Sequence, residues 1–130
     1  MSRPVRPWRR DLGARSRRAG RMAEWTAALW LILKGYQILG FRLKATGAEI
    51  DILARKGRTL ALIEVKRRVS FEAALDALGP DQRRRLIAAG QDLIRKRRAF
   101  AAFELRLDVI AFAPGRPPRH YRGLTDDGGV

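Results

Sequence analysis

The sequence contains no cysteine and a single histidine, His120. Both shortages restrict the kinds of metal site and catalytic group that the chain can form. Without thiols, disulfide bridges, thiolate-bound zinc and thiol catalysis are excluded. Long apolar runs are missing as well. The longest extends from Ala27 to Leu33, far short of the roughly 20 residues that a membrane-spanning helix needs. We therefore expect a soluble, cytoplasmic protein with no membrane partner.

Acidic residues are also scarce, because 28 lysines and arginines face only 13 acids and leave a net charge of +15. A surplus of this size requires a polyanionic partner or heavy solvation, so nucleic acid is the leading candidate partner, DNA rather than RNA. Arginine dominates the surplus, and its planar guanidinium pairs with phosphate oxygens as lysine cannot. Because the sequence contains no pattern typical of a helix-turn-helix or zinc finger, we expect recognition of charge and shape rather than base sequence.

A chain of 130 residues, 46% of them hydrophobic, has the size and composition of one domain with its own core. Residues 1–18 are rich in arginine and predict a flexible basic arm, which either tracks a nucleic-acid backbone or is a solvated tail. The domain then spans residues 19–113. Prolines from Pro114 onward indicate a loosely ordered tail over residues 114–130, in which His120 would be solvated.

Hydrophobic periodicity and turn residues predict an α/β fold. The predicted elements are a helix over 20–34, strands over 36–44, 49–55 and 59–67, a helical turn or two within 70–78, a helix over 80–98 and a strand over 103–112. Gly35 suits a left-handed helix end, and Pro80 suits the first position of the second main helix. The turn at residues 56–58 is so short that the strands on either side should pair antiparallel.

Acidic residues interrupt two of these apolar strands. Residues two apart in an extended strand share a face, so Glu49 and Asp51 should point the same way, as should Glu64 and Lys66. A hairpin could bring Asp51 and Glu64 together as ligands of Mg²⁺ or Mn²⁺, because hard divalent cations prefer carboxylate oxygens. Lys66 could hold an attacking water or stabilise charge on a phosphate. The alternative is an ordinary strand face on which charged residues alternate.

An acid on one strand followed by Glu-x-Lys on the next resembles the signature of the PD-(D/E)xK nucleases, the restriction-endonuclease-like superfamily. The core order of that superfamily is helix, three strands, helix and strand, the order predicted above. More closely, the chain resembles the YraN-like bacterial family, from about residue 21 to residue 112. The segments that carry this resemblance are Ala23-Glu24, Gly35-Tyr36, Glu49-Ile50-Asp51-Ile52, Glu64-Val65-Lys66 with Arg68, and Leu107-Asp108-Val109-Ile110.

The resemblance implies a restriction-endonuclease-like core, a mixed sheet flanked by helices. It also implies that Asp51 and Glu64 are metal ligands and that Lys66 is the catalytic lysine. Glu24 resembles the helix-one acid that joins such sites in resolvase-like members, and is a third expected ligand. The implied activity is that of a Mg²⁺-dependent endonuclease or a nuclease resembling Holliday-junction resolvases. Because resolvase-like relatives act as symmetric pairs, a homodimer is also expected.

Glu49 and Gln82 are expected to support this site without binding the metal. Two positions depart from the family pattern, because Ala48 replaces the glycine before Glu-Ile-Asp and Gln82 replaces a lysine common early in the second helix. The residues expected to contact nucleic acid are Arg67, Arg68, Arg83 and Arg84. Two other functions remain open. The chain could be a non-catalytic nucleic-acid-binding module, or a scaffold for an acidic protein in which salt bridges alone satisfy the buried acids.

Two further positions have a structural interpretation. Asp108 lies among apolar strand residues, where an aspartate could pair with an arginine and serve stability alone. Trp25 and Trp30 lie five residues apart on the first helix and therefore face different ways. We expect Trp30 to pack in the core and Trp25 to be the candidate for a partner contact.

Overall fold

The computed structural model of the chain describes the backbone of residues 7–127 and the side chains of residues 20–127. Its elements are α1 (Pro7–Leu33), β1 (Gln37–Ala45), β2 (Ala48–Lys56), β3 (Thr59–Arg67), α2 (Phe71–Asp76), α3 (Pro80–Lys96), a 3-10 turn (Arg98–Phe100), β4 (Glu104–Phe112) and β5 (Arg119–Tyr121). The strands form one sheet in the order β1-β2-β3-β4-β5. β3 and β4 run parallel, and the other neighbours pair antiparallel. The predicted α/β class and restriction-endonuclease-like core order are confirmed.

Helix α1 packs on the sheet through small and apolar residues one and two turns apart, Ala23, Ala27 and Leu31, all of which are buried. It ends at Leu33, and Gly35 two residues later has a φ of 95°. The Tyr36 N–H donates to Leu31 O at 3.0 Å and the Gly35 N–H donates to Ile32 O at 2.9 Å, which is the Schellman pattern. Within the described residues, no helix combines the length and apolarity that crossing a bilayer demands.

The start of α1 differs from the prediction. The helix begins at Pro7 rather than near Gly20, so residues 7–18 of the predicted flexible arm belong to a helix. Arginine, which makes up five of residues 7–18, is a good helix former and favours extension of the helix. Residues 1–6 of that arm lie outside the described part of the chain.

The sheet is covered on both faces. Strand β3 is the centre of this arrangement, because its residues from Leu60 to Glu64 are all buried, as its continuous apolar run predicts. The core under α1 contains Ala27, Ala28, Leu31, Tyr36, Ile52, Ala54, Ala61, Ile63 and Ile110. The core under α2 and α3 contains Ile50, Leu53, Leu60, Leu62, Phe71, Ala74, Leu78, Leu86, Leu107, Val109, Ala111 and Leu124.

Strands β1 and β2 change face near the candidate site. Ile50 lies in the core under α3 whereas Ile52 lies in the core under α1, although residues two apart in a regular strand share a face. The paired strand does the same, because Leu43 packs on the α3 side and Phe41 on the α1 side. Arg42, between them, has a φ of 47°. Asp51 therefore lies at a break in the alternation.

The C-terminal segment is part of the fold. Strand β5 pairs with β4, with His120 opposite Ile110. Leu124 is buried and its N–H donates to Leu107 O at 2.7 Å. The predicted loosely ordered tail is therefore wrong for residues 119–124. The prolines between the two strands form a reversal that returns the chain to the sheet edge, rather than the end of regular structure.

Candidate active site

Asp51 is held against strand β3 by a backbone hydrogen bond. Its Oδ2 accepts from the Val65 N–H at 2.8 Å. The register of the hairpin, with Ile52 opposite Ile63, brings Asp51 level with Glu64. The break in the alternation of β2 lets the Asp51 side chain take the Val65 N–H, a group that a regular ladder would give to a backbone carbonyl. The structure thus brings Asp51 and Glu64 together.

Glu64 is a buried acid whose exposure is only 2%. The pKa of Glu64 is raised to about 10, first by burial and then by its hydrogen bond with Asp51 and the Asp51 charge, while the charge of Lys66 lowers it. Glu64 therefore keeps its proton at neutral pH when no cation is present. Within the described residues its Oε1 has no hydrogen-bond partner. A buried oxygen of this kind is unusual and requires a functional or structural reason.

A pocket of about 320 Å³ opens beside this pair of acids. Its lining residues are Gly20, Ala23, Glu24, Asp51, Val65, Lys66, Arg67 and Arg68. Gly20 and Ala23 form a wall of α1 with little side-chain volume, which leaves the space open. The opposite wall is the end of β3, where Lys66 is half-buried and the two arginines are exposed. The pocket is thus lined by two acids, Glu24 and Asp51, and by the positive charges of Lys66, Arg67 and Arg68, while Glu64 lies next to its lining residue Val65.

Glu24 lines the same pocket but has a different partner. Its carboxylate accepts a hydrogen bond from Arg42 Nη1 at 2.9 Å. Burial raises the pKa of Glu24, Arg42 lowers it, and Asp51 and Glu49 raise it again, so these acids lie close together. Side chains 20–127 nevertheless contain no group of three or more histidines or acids positioned to hold a metal. The three expected ligands Asp51, Glu64 and Glu24 are therefore not found as one such group, and their metal-binding roles stay predictions.

Sequence reasoning missed Arg42, which neutralises Glu24 at the edge of the pocket. Its position depends on a left-handed backbone conformation in β1, which is uncommon for a residue other than glycine. The sequence around it, Phe41-Arg42-Leu43, reads as ordinary strand alternation. No local signal could have revealed this contact.

Glu49 and Gln82 lie together in a neighbouring pocket of about 200 Å³, with Arg85 of α3. Glu49 and Asp51 therefore line different pockets, and the prediction that they share a face is wrong because the strand changes face between them. The Glu49 charge still raises the pKa of Glu64, so it is close enough to influence the acid pair. The supporting roles of Glu49 and Gln82 stay predictions.

The four predicted nucleic-acid contacts divide into two kinds. Arg67 and Arg68 line the candidate pocket, and Arg84 is exposed on α3, where it forms an ion pair with Asp81. Arg83, by contrast, is only 4% exposed. Its Nε donates to Leu78 O at 2.8 Å and its Nη1 donates to Thr125 O at 3.0 Å. The prediction for Arg83 is wrong, because its guanidinium satisfies carbonyls at the end of α2 and in the C-terminal segment.

A second buried acid, Asp108, is fully satisfied. It accepts hydrogen bonds from Arg106 at 2.8 and 2.9 Å, His120 at 2.8 Å and the Gly123 N–H at 3.0 Å. Burial raises the pKa of Asp108, but the bonds from His120, Arg106 and Gly123 lower it more, so it lies below its usual value. The predicted pairing of Asp108 with an arginine is confirmed. The predicted solvation of His120 is wrong, since its side chain is buried against this acid.

The contrast between the two buried acids decides which of them suits a cation. Asp108 has donors for both oxygens, whereas Glu64 is protonated, lies against a second acid and has an unpartnered oxygen. A hard divalent cation would satisfy that oxygen and relieve the repulsion between the two carboxylates. Magnesium requires only one or two protein carboxylates when substrate phosphate completes its shell. The residues of the Asp51 pocket therefore fit such an ion.

Comparison with known proteins gives one consistent family. The sequence model of the uncharacterised protein family UPF0102 matches residues 23–112. A UPF0102 protein of Caulobacter vibrioides is 53% identical over 112 residues, which cover 86% of this chain and 90% of the relative. Relatives from Caulobacter sp. and Agrobacterium fabrum are 51% and 43% identical, covering 91% and 82% of this chain and 88% of each relative. The chain therefore belongs to the UPF0102, or YraN-like, family.

Proposed function

We propose that this protein is a Mg²⁺- or Mn²⁺-dependent nuclease of the PD-(D/E)xK type that acts on DNA. The observation that carries the proposal is the pairing of Asp51 with Glu64, whose Oε1 is buried without a partner beside a pocket lined by Lys66, Arg67 and Arg68. A protein gains nothing in stability from a protonated, half-satisfied acid beside another acid. A cation-binding role accounts for it.

Each side chain at the pocket has a separate role in the proposed reaction. Asp51 and Glu64 would hold the cation, with Asp51 kept in orientation by the Val65 N–H. When bound, such an ion supplies Lewis acidity at the phosphate and lowers the pKa of a water molecule. The Lys66 ammonium, half-buried beside the acids, donates to a non-bridging phosphate oxygen and stabilises charge that grows there during attack. Hydrolysis forms one bond from water oxygen to phosphorus and breaks one ester bond, and the departing oxygen takes up a proton.

The exposed arginines account for binding rather than chemistry. Arg67, the last residue of β3, and Arg68 follow Lys66 directly and line the same pocket, so they can contact the phosphates on either side of the one that reacts. Their guanidinium groups recognise phosphate without reading bases. The proposal therefore predicts a substrate chosen by its shape and charge.

A cleavage assay tests the proposal directly. Purified protein would be incubated with duplex, single-stranded and four-way-junction DNA in the presence of Mg²⁺ or Mn²⁺. We expect metal-dependent cleavage of at least one substrate, reduced by about 100-fold or more in Asp51→Asn, Glu64→Gln and Lys66→Met. Matched controls are Asp76→Asn and Lys44→Met, which change the same residue types at exposed positions away from the pocket and should retain activity.

Two results would contradict the nuclease proposal. Cleavage that persists in Glu64→Gln at the wild-type rate would come from a contaminant. Salt-sensitive DNA binding with no cleavage of any substrate in either metal would instead identify a non-catalytic binding module. The metal can be tested separately by thermal shift, because Mn²⁺ should raise the melting temperature of the wild type and leave that of Asp51→Asn unchanged. Absence of DNA binding altogether would favour the acidic-protein scaffold.

A further inference from the structure

The side of α1 that faces away from the sheet is apolar. We call this surface the α1 outer face. Its residues are Met22, Trp25, Leu29, Ile32 and Leu33, each between 53% and 76% exposed. A helix that packs one side on a core normally presents charged and polar residues on the other. That expectation should hold strongly in a sequence in which 32% of the residues are charged, so the α1 outer face requires an explanation.

The patch continues onto the edge of the sheet. Trp25 contacts Phe41 of β1, with ring centroids 5.1 Å apart. β1 is the first strand in the sheet order and pairs with β2 on one side, and its Leu39 is 36% exposed. The contact between Trp25 and Phe41 thus joins the α1 outer face to the edge strand, and an exposed apolar surface of this kind marks interaction sites on soluble proteins.

We propose that a second copy of this chain covers the α1 outer face, in a two-fold dimer in which the two α1 helices pack against each other. The spacing of Met22, Trp25, Leu29 and Ile32 alternates three and four residues, which is the spacing of a helix–helix seam. In a two-fold dimer each copy contributes the same surface to the interface, so an apolar stripe on one copy packs against the identical apolar stripe on the other.

Charge also favours a second copy over a charged partner. Each molecule has a net charge of +15, so two copies can associate closely only through a surface without charge of its own. The α1 outer face has no charged member, and Glu24 and Arg42 beside it neutralise each other. Two exposed cations, Arg21 and Lys34, lie at its ends, so an acidic protein would find cations at the rim of this face but none within it.

The available area is sufficient for a stable dimer. Full burial removes about 100 Å² of a Leu, Ile or Met side chain and about 200 Å² of a tryptophan from water, so the exposed parts of the α1 outer face amount to roughly 400 Å². Two copies would bury about 800 Å² of apolar surface, and with a polar rim the total comes to about 1,300 Å². Specific protein interfaces begin near that size, and Trp25 supplies the kind of anchor that dominates their energy.

Sedimentation in high salt, where no nucleic acid stays bound, tests the proposal. We expect the wild type to sediment as a dimer at micromolar concentrations and Leu29→Glu to sediment as a monomer, with dimer affinity reduced by about 100-fold or more because a charge is buried in each half of the seam. Val69→Glu is the matched control, since Val69 is 88% exposed but lies outside the α1 outer face. A wild type that stays monomeric, or a Val69→Glu variant that dissociates equally, would overturn the proposal.

The absence of cysteine permits a second test that does not rely on charge. In a close helix pair, residues near the two-fold axis face their own copies at distances that a disulfide can bridge. Single-cysteine variants Trp25→Cys and Leu29→Cys would each carry the only thiol in the chain. Under mild oxidation at least one should give a covalent dimer far faster than Val69→Cys. Equal rates at all three positions would mean random collisions and would contradict the two-fold seam.

Salt dependence separates this dimer from association through a bound polyanion. Because an apolar seam holds two highly basic molecules together, screening their repulsion should strengthen the dimer as salt rises. A dimer that dissociates with added salt would be bridged by nucleic acid, and the proposal would be wrong. Binding of a monomeric wild type to anionic lipid vesicles, lost in Leu29→Glu, would likewise reassign the α1 outer face to a lipid surface.

Discussion

Glu64 and Asp108 show how differently one fold can treat two buried acids. Asp108 receives bonds from a guanidinium, an imidazole and a backbone N–H, so its charge is compensated. Glu64 lies beside Asp51 with one oxygen unpartnered, so burial and the neighbouring acid both disfavour its ionised form. The first arrangement stabilises the native state, while the second costs stability unless a cation is bound. The candidate site is therefore expected to be the weak point of the metal-free protein.

We predict that Glu64→Gln stabilises the metal-free protein, increasingly so as pH rises. The pKa of Glu64 is about 10 in the folded protein against an ordinary value of 4.5. Between these values the folded state holds a proton that the unfolded state has lost, so the contribution of this group to stability falls as pH increases. Glutamine removes the effect. The gain at pH 7 should be on the order of 2 kcal/mol, measured by urea unfolding.

Unfolding free energies measured at pH 6 and pH 9 would check the direction of this pH dependence. The stability gain from Glu64→Gln should be larger at pH 9. Glu72→Gln on α2 is the matched control, since it changes the same residue type at an exposed position and should give no pH-dependent gain. A gain that shrank with rising pH would show that Glu64 is ionised in the native state.

Helix α3 and the C-terminal segment are joined by Arg83 rather than by apolar contact alone. Its guanidinium links α2, through Leu78 O, to Thr125 O beyond β5. Arg84, the next residue, points to solvent. Two adjacent arginines on one helix thus differ in role, because Arg83 forms internal hydrogen bonds and Arg84 is exposed on the surface. Helical periodicity could not separate them, because the partners of Arg83 come from other elements.

We predict that Arg83→Gln lowers the free energy of unfolding by about 2 kcal/mol, because the buried Leu78 carbonyl and the part-buried Thr125 carbonyl lose their guanidinium donor. Arg84→Gln should change stability by less than about 0.5 kcal/mol, as expected for an exposed ion pair. DNA binding, measured by fluorescence anisotropy at temperatures where both variants are folded, should weaken in Arg84→Gln and stay near the wild-type value in Arg83→Gln. Reduced binding in Arg83→Gln without lost stability would contradict the assignment.

Over the whole molecule, the net charge of +15 predicts how DNA affinity depends on salt. Each arginine that contacts a phosphate displaces counterions, so the logarithm of affinity should fall steeply with the logarithm of salt concentration. The double variant Arg67→Gln, Arg68→Gln should reduce that slope by about 1 to 2. Arg55→Gln, which removes equal charge per residue at the far hairpin, should leave the slope unchanged. A slope near zero would exclude phosphate contacts as the source of affinity.

Much of the architecture follows from local signals in the sequence. The short turn at Gly57 predicted the β2–β3 hairpin, and Pro80 marked the first residue of α3, where the structure has it. The hairpin register is enough to bring Asp51 and Glu64 together. These predictions depend on neighbours in the sequence, where periodicity and turn chemistry act directly.

Other features depend on distant parts of the chain, and local reasoning could not reach them. The change of face at Asp51 requires a left-handed Arg42 on the neighbouring strand. Strand β5 is three residues long and is fixed by the bond between His120 and Asp108, so its own sequence reads only as a proline-rich tail. The tertiary contacts of single polar residues decided these outcomes, and hydrophobic patterning carries no information about them.

The attachment of the C-terminal strand has a consequence for truncated forms of the chain. The Asp108 carboxylate accepts from His120 and Gly123, and Leu124 closes the core beside Leu107. A product cut after Phe112 would leave Asp108 with the Arg106 guanidinium but without these two donors, and would open the core where Leu124 is buried. Such a product is expected to be degraded by proteases rather than to accumulate as a folded protein.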